Sequence, residues 1–171
     1  MILETERLTL TPITAADRAF LYPIMADPEV MAHWDSDAIE DPDVIDAILE
    51  GQIQDMGAGI AWYWSMRLTT GGGFVGGCDL SDIDWRHHRA EVGFIMGKDA
   101  WGQGYAIEAM RAVMAFAASQ GLKRLWARTQ VGNTRSDNLL QKLGFEAEGY
   151  MRGHIDRDGE RRDVRLWGML L

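Results

Sequence analysis

Two glycines, Gly102 and Gly104, stand directly before an apolar, alanine-bearing run that predicts a helix beginning near Tyr105. The first N–H groups of a helix have no partner within the helix, and they carry a partial positive charge. Glycine has no Cβ, so a ligand can approach the backbone amides beside it closely. This pattern is suited to binding phosphate. An ordinary strand-to-helix turn is the alternative interpretation.

Two well-known phosphate loops do not fit the sequence. A dinucleotide fingerprint, G-x-G-x-x-G, needs glycine or alanine three residues after Gly104, where Ile107 stands. A Walker loop needs lysine and a hydroxyl residue after its last glycine, and the glycine-rich stretch at 71–78 has neither. That stretch is predicted to form a hairpin turn. A pyrophosphate loop of the coenzyme A type is the third possibility.

The elements around this loop follow from the spacing of the apolar residues. Alternating or aromatic-rich runs predict strands, and runs with a helical period after capping residues predict helices. The strands are predicted at 7–13, 60–68, 74–81, 88–97, 123–131, 149–155 and 161–170, and the helices at 15–25, 41–57, 105–120 and 133–143. This order predicts a mixed α/β domain with a largely antiparallel sheet. Only the strand–helix–strand unit from Glu91 to Val131 requires a parallel pair. The pair Asp158-Gly159 predicts a hairpin turn between the last two strands.

Length and composition predict the class of protein. The 171 residues are enough for one domain, which we expect to span 1–171. The 17 basic and 26 acidic residues give a net charge of −9, which argues against a nucleic-acid or anionic-membrane partner. This charge either favours a cationic partner or serves solubility. A single cysteine, Cys78, excludes an internal disulfide, and no signal peptide or membrane-spanning run is evident. We therefore expect a cytoplasmic protein.

Three segments resemble a known family. WGQGYA (Trp101–Ala106) resembles the Q/R-x-x-G-x-G/A acyl-CoA loop of the GNAT superfamily of N-acetyltransferases, although Trp101 stands where Gln or Arg is usual. WGQGYAIEA is similar to the RimJ/RimL-like branch, the ribosomal-protein serine/alanine acetyltransferases. So are LETERLTL near the N-terminus and NTRSDNLLQKLGFEAEGYMR from Asn133. The resemblance implies an α/β (α+β) fold. In such a fold a mixed, mostly antiparallel central sheet of about seven strands has helices on both faces, and a parallel pair lies at the acyl-CoA cleft.

The resemblance also implies an activity. Acetyl-CoA would be the cosubstrate, with no metal. The acceptor would be a primary amine on a protein N-terminus, an amino acid or a small molecule, and it would attack the thioester directly in a ternary complex. A homodimer is expected by analogy. The rival hypothesis is a non-catalytic acyl-CoA-binding or sensory module.

The resemblance assigns most of the coenzyme contacts to the backbone. The pyrophosphate would be held by the amides of Gly102, Gln103, Gly104, Tyr105 and Ala106. The strand residues Phe94, Ile95 and Met96 would pair with the pantetheine arm, and the N–H of Ile95 or Met96 would face the thioester oxygen. Asn133 would contact pantetheine, and Asn138 would lie near the phosphates. Arg135 and Lys142 either meet the 3′-phosphate or are solvated helix charges.

An amine acceptor benefits from a base. With an ammonium pKa of about 10.4, the neutral form at pH 7 lies roughly 4 kcal/mol above the charged form. Glu91 is the first candidate, because the family often has a glutamate near this point of the strand. Its alternative is a surface or salt-bridged residue beside Arg89. Asp79 and Asp84 are further candidates for the base.

The leaving thiolate needs an acid. Ser136 resembles the hydroxyl residue assigned as general acid in the RimL-like branch, or it is a first-turn residue that bonds backbone amides. Asn133 also suits a helix N-cap, which is compatible with a ligand contact. Tyr105 is expected to pack rather than to act as an acid. The aromatic residues Trp34, Trp62, Tyr63, Trp64 and Trp85 either line an acceptor cleft or pack in the core or an interface. None of the four histidines has metal-ligand spacing.

Overall fold

The computed structural model describes residues 1–157 and 159–171, which form one sheet of eight strands with four α-helices. The strands are β1 (Leu3–Glu4), β2 (Leu8–Pro12), β3 (Trp62–Leu68), β4 (Phe74–Asp84), β5 (Arg89–Met96), β6 (Arg124–Gln130), β7 (Glu146–Arg157) and β8 (Glu160–Leu170). The helices are α1 (Arg18–Met25), α2 (Asp43–Ala58), α3 (Tyr105–Ser119) and α4 (Thr134–Leu143). The predicted turn at Asp158-Gly159 falls between β7 and β8, and Asp158 lies outside the described residues.

The sheet has the order β1-β2-β3-β4-β5-β6-β8-β7. Its neighbours are antiparallel except β5 and β6, which are parallel and joined through α3. The prediction of a mixed, largely antiparallel sheet with one parallel pair is therefore confirmed. The extra strand β1 is only two residues long, which is too short to show an alternating pattern.

Helices cover both faces of the sheet. On one face, Trp64 of β3 packs edge-on against Phe116 of α3, with ring centroids 5.4 Å apart. The free thiol of Cys78 is buried in the same core. On the other face, Ile45 and Leu49 of α2 form a smaller cluster. The alternation of β3 places successive side chains on opposite faces, so both helical layers pack on the same strands.

The parallel pair separates soon after it forms. Only Arg89–Glu91 of β5 are in register with Arg124–Trp126 of β6. Beyond that point β5 pairs with β4 alone, as far as Met96, and β6 pairs with β8 alone, as far as Gln130. A gap therefore opens between β5 and β6 toward their C-terminal ends. Helix α3 follows β5 in the chain, and helix α4 follows β6.

Two of the helices show local effects of proline and glycine. Helix α1 contains Pro23, which has no N–H to donate to the carbonyl of Ala19, and the helix continues past it to Met25. Helix α2 runs past Gly57 and ends at Gly59, whose backbone is left-handed. Among the described residues, no helix is long and apolar enough to cross a bilayer.

Candidate active site

The two glycines of the loop adopt a backbone that other residues rarely adopt. Gly102 and Gly104 have φ of +73° and +81°, the left-handed region that favours glycine. A Cβ placed on Gly102 would meet no atom within 4 Å, so this side of the loop is open to a ligand. The bond from Glu108 N to Gly104 O (3.1 Å) begins α3. The amides of residues 102–106 thus precede the helical ladder, which fits a bound pyrophosphate.

Side chains from the N-terminal segment hold this loop in place. The Glu108 carboxylate accepts hydrogen bonds from Thr5 Oγ1 (2.6 Å), Arg7 N (2.7 Å) and Arg7 Nε (2.7 Å). Arg7 Nη1 also donates to the carbonyl of Gln103 (3.0 Å). Partial burial raises the pKa of Glu108, but these hydrogen bonds outweigh it and leave the pKa below its usual value. We did not predict these roles; the only signal was the polar run ETER before an alternating strand.

Trp101 connects the loop to the end of β5. Its indole Nε1 donates to the carbonyl of Met96 (3.1 Å), and the guanidinium of Arg135 lies 3.9 Å from the indole centroid. The tryptophan that departs from the family pattern therefore has a structural function, since it closes residues 97–101 against the strand.

The first turn of α4 is fixed to the sheet. Asn133 caps the helix, because its Oδ1 accepts from Ser136 N (3.2 Å). Buried Asp137 accepts from Thr129 Oγ1 (2.7 Å) and pairs with Arg165. Since Thr129 belongs to β6, this network holds Ser136 at a defined place beside the gap.

Two cavities meet at that place. One of about 390 Å³ lies between the end of β5, the glycine loop and α4, and one of about 160 Å³ lies in the gap between β5 and β6. The residues that line both cavities are His33, Trp34, Phe94, Asn133 and Ser136. The predicted residues on the larger cavity are Phe94, Ile95, Met96, Gly102, Gly104, Tyr105, Ala106, Asn133, Arg135, Ser136, Asn138 and Lys142. Glu91 lines the smaller one, and Gln103 instead bonds its side chain to the carbonyl of Asp99 (2.8 Å).

Glu91 is half-buried and ion-paired. Its Oε1 lies 2.8 Å from Arg128 Nε, and its Oε2 lies 3.3 Å from Arg128 Nη2. Burial raises the pKa of Glu91 above its usual value, and Arg128 opposes the rise without cancelling it. The partner is thus Arg128 on β6, whereas Arg89 pairs with Asp84 (3.3 Å). Asp84 lines neither cavity.

Asp79 is a second carboxylate on the same face of the sheet. A Cβ on Gly93, its neighbour in register on β5, would lie 2.5 Å from Asp79 Oδ1, so the carboxylate occupies the space above Gly93. Ser81 Oγ donates to Asp79 Oδ2 (2.8 Å). Burial raises the pKa of Asp79 to about 6, against the effect of Ser81. The two carboxylates therefore differ in their partners, since Glu91 pairs with the cation Arg128 and Asp79 accepts from the neutral hydroxyl of Ser81.

Part of the cavity wall comes from the connection between α1 and α2. His33, Trp34 and Asp35 line the smaller cavity. Burial and the nearby cations Arg162, Arg135 and Arg157 lower the pKa of His33. Trp34 is the aromatic residue of the predicted set that lines both cavities, whereas Trp62 and Trp64 pack against Phe116 in the core. No sequence pattern identified His33 or Asp35. The described residues contain no cluster of His, Cys, Asp or Glu placed to hold a metal.

Comparison with known proteins gives consistent results. Residues 7–146 match the acetyltransferase (GNAT) domain family. The chain is 32% identical over 177 residues to the uncharacterized N-acetyltransferase p20 of Bacillus licheniformis, covering 98% of this chain and 95% of that protein. It is 35% identical over 77 residues to the ribosomal protein uS5-alanine N-acetyltransferase of Escherichia coli, covering 44% and 40%. The fold superposes with a TM-score of 0.84 and 19% identity on spermidine N-acetyltransferase from Vibrio cholerae in complex with CoA and spermine, covering 95% of both chains.

Proposed function

Because this chain belongs to the acetyltransferase (GNAT) family, we propose that it is a member of the RimJ/RimL-like branch and that it transfers the acetyl group of acetyl-CoA to a primary amine in a ternary complex. It is an N-acetyltransferase, and CoA-bound relatives support acetyl-CoA as its cosubstrate. The observation that carries the proposal is the gap between β5 and β6, with the glycine loop at its mouth.

The backbone of the chain supplies the binding contacts in this proposal. The amides of residues 102–106 hold the pyrophosphate, where Gly102 leaves the approach open. Beyond Glu91, the edge of β5 that faces the gap lacks a neighbouring strand, so Phe94, Ile95 and Met96 present backbone groups to the pantetheine arm. The N–H of Ile95 or Met96 stabilises the charge that develops on the thioester oxygen. Asn133 contacts the arm, and Asn138 lies near the phosphates.

The chemical step joins the amine nitrogen to the acetyl carbon and breaks the carbon–sulfur bond. The acceptor must first lose the proton of its ammonium form, and Glu91 receives it. The Glu91 carboxylate lines the cavity in the gap, and its ion pair with Arg128 opposes the rise in its pKa that burial causes. Ser136 lines both cavities and donates a proton to the departing thiolate, and the second proton that the nitrogen loses as the amide forms replaces it on Ser136.

The acceptor is a protein N-terminus, an amino acid or a small amine. Carboxylates close to the smaller cavity, including Asp35 and Glu91, favour a cationic amine over an anionic one. The named relatives act on a ribosomal protein or on spermidine, so both classes belong in a substrate panel. A cytoplasmic location, a homodimer and the exclusion of nucleic acid and membrane as partners stay predictions from the sequence.

One assay tests the proposal against a non-catalytic CoA-binding module. The purified protein is incubated with acetyl-CoA and a panel of N-terminal peptides, amino acids and polyamines, and free CoA thiol is followed. We expect thiol release that depends on the acceptor, with acetylated amine as the second product by mass spectrometry. Ser136→Ala should slow turnover while leaving the Kd of CoA unchanged. Tight CoA binding without release under any acceptor would favour the non-catalytic module.

A further inference from the structure

The connection between α1 and α2, residues 26–42, contains only a short 3₁₀ turn at Met31–His33. A connection of this length with so little internal structure needs contacts elsewhere to be held in one place. Its residues 31–37, called here the clamped segment, contribute His33, Trp34 and Asp35 to the wall of the cavities. What fixes this segment therefore also fixes part of the candidate active site.

The contacts come from the far side of the gap. Arg157 of β7 donates from Nη1 to the carbonyls of Met31 (2.6 Å), Ala32 (3.2 Å) and Trp34 (3.2 Å). Its Nε donates to Asp37 Oδ1 (2.6 Å). The Arg157 side chain is only 11% exposed, so these bonds form largely out of solvent.

Two further side chains act on the same carbonyls. Gln130, at the end of β6, donates from Nε2 to the carbonyl of Trp34 (2.8 Å). Arg162 of β8 lies 3.4 Å from the carbonyl of Ala32. Buried carbonyls require donors, and here strands β6, β7 and β8 supply them to one segment.

This arrangement bridges the gap. Helices α1 and α2, which flank the segment, pack on the part of the sheet that contains β3 and β5, through Leu21, Ile45 and Ile95. The segment itself is bonded to β6, β7 and β8. The two parts of the sheet are also joined by the short register between β5 and β6, by the Glu91–Arg128 pair and by the hydrophobic core that α3 shares with both parts. The clamped segment is thus a bridge at the open end of the gap.

We propose that Arg157 is a positioning residue, which holds residues 31–37 as the acceptor-side wall of the active site and thereby sets the affinity for the acceptor. This inference rests on the proposed acetyl transfer. A guanidinium is suited to the task, because its planar fork reaches several oxygens at once, whereas a lysine ammonium on a flexible stem does not. The pyrophosphate contacts lie on residues 102–106, so loss of the clamp should affect the acceptor more than CoA.

The test compares Arg157→Ala with the wild type and with Arg161→Ala. Arg161 lies on the same hairpin, is 67% exposed and pairs only with exposed Asp156 (3.3 Å) among its charged partners in the described residues. We expect Arg157→Ala to raise the acceptor KM roughly tenfold or more, while kcat and the Kd of acetyl-CoA change by less than about threefold. Arg161→Ala should match the wild type. Asp37→Ala, which removes only the exposed partner, should shift the acceptor KM in the same direction by less.

Hydrogen–deuterium exchange gives a readout that needs no activity. In Arg157→Ala, amides of residues 31–37 should exchange faster than in the wild type, whereas those of α3 should not. Arg157→Lys should restore neither the slow exchange nor the acceptor KM. Unchanged exchange in the segment, an unchanged acceptor KM or an equal loss of CoA affinity would each overturn the inference. If the wild type itself releases no thiol with any amine, the proposed function fails, and exchange still decides whether Arg157 holds the segment.

Discussion

Glu91 and Arg128 form an ion pair at the point where β5 and β6 separate, with 2.8 Å between Oε1 and Nε. Glu91 is the last residue of β5 in register with β6, and Arg128 lies two residues beyond the last registered residue of β6, Trp126. The pair therefore sits at the apex of the gap. Burial raises the pKa of this half-buried carboxylate, and the cation held beside it opposes that rise.

The pH profile should report on this pair. Burial already raises the pKa of Glu91, and Arg128 opposes that rise. Arg128→Ala removes the opposition, so the pKa of Glu91 rises further and the acid limb of kcat/KM moves to higher pH. Arg124→Ala is the matched control, because Arg124 lies on the same strand and pairs with Glu148 instead. An acid limb that stays in place in Arg128→Ala would remove Glu91 from the proton transfer.

Glu91→Gln should lower kcat by roughly 100-fold, the usual contribution of a general base. Calorimetry should show an unchanged Kd for CoA, because the coenzyme is held by backbone groups of other residues. Wild-type kinetics in this variant would assign the proton transfer to another group or to water.

Asp79 should make stability depend on pH with a defined sign. Its folded pKa of about 6 lies above the ordinary 3.8, so the folded state binds the proton more tightly than the unfolded chain. Stability should therefore fall as pH rises from about 4 to about 6. Asp79→Asn should melt higher than the wild type at pH 8 and lose this advantage near pH 4, as measured by calorimetry.

Asp84→Asn should behave in the opposite way. A hydrogen bond from the backbone N–H of His87 lowers the pKa of Asp84, so the contribution of Asp84 to stability is present above the unfolded pKa and is lost as pH falls. The variant should therefore be slightly less stable than the wild type at pH 8. If both aspartate variants shifted the melting temperature in the same direction at pH 8, the burial of Asp79 would not be the cause.

A comparison of Gly102→Ala with Gly121→Ala should distinguish the loss of ligand access from the cost of backbone strain. Both glycines have left-handed backbones, with φ of +73° and +89°, and a Cβ at either would meet no protein atom within 4 Å. Each substitution should cost roughly 1–2 kcal/mol of stability. Only Gly102→Ala should weaken CoA binding, by roughly tenfold or more, because its Cβ would obstruct the approach of the pyrophosphate to the backbone amides and cost a hydrogen bond to a charged group. Equal CoA affinities in the two variants would place the pyrophosphate elsewhere.

The buried pair of Asp137 and Arg165 should matter for stability as well as for the site. Asp137→Ala leaves Arg165 without its buried partner and should destabilise the protein by roughly 3 kcal/mol. Asp156→Ala breaks an exposed pair and should cost less than about 1 kcal/mol. Urea unfolding measures both values. A small loss in Asp137→Ala would mean that α4 is held by its apolar face alone.

Features that depend on residues close together in the chain could be inferred from the sequence. The left-handed turn at Gly102 and Gly104, the Asn133 cap and the strand–helix–strand unit all arise from residue types at short spacing. The partner of Glu91 could not be predicted in this way, because it depends on the register between two strands. The contact between the loop anchors Arg7 and Glu108 could not be predicted either, because these residues are about a hundred positions apart in the sequence.

The acceptor side of the site was the least predictable part. Residues 31–37 have no periodicity, and their position depends on Arg157 and Gln130, which belong to strands far away in the chain. Connections of this kind are placed by individual polar contacts rather than by a repeated apolar pattern. The sequence indicated Trp34 only as one of several aromatic residues, and it did not distinguish Trp34 from the core residue Trp64.

The burial of Cys78 has a practical consequence for the thiol assay. This is the single cysteine of the chain, and its burial in the core raises the pKa of its thiol, so little reactive thiolate is present in the folded protein. A colorimetric thiol reagent added to native enzyme should therefore record the released coenzyme with almost no background from the polypeptide. The same reagent added in denaturant should label one additional sulfur per chain, so the two titrations together count the product and the polypeptide.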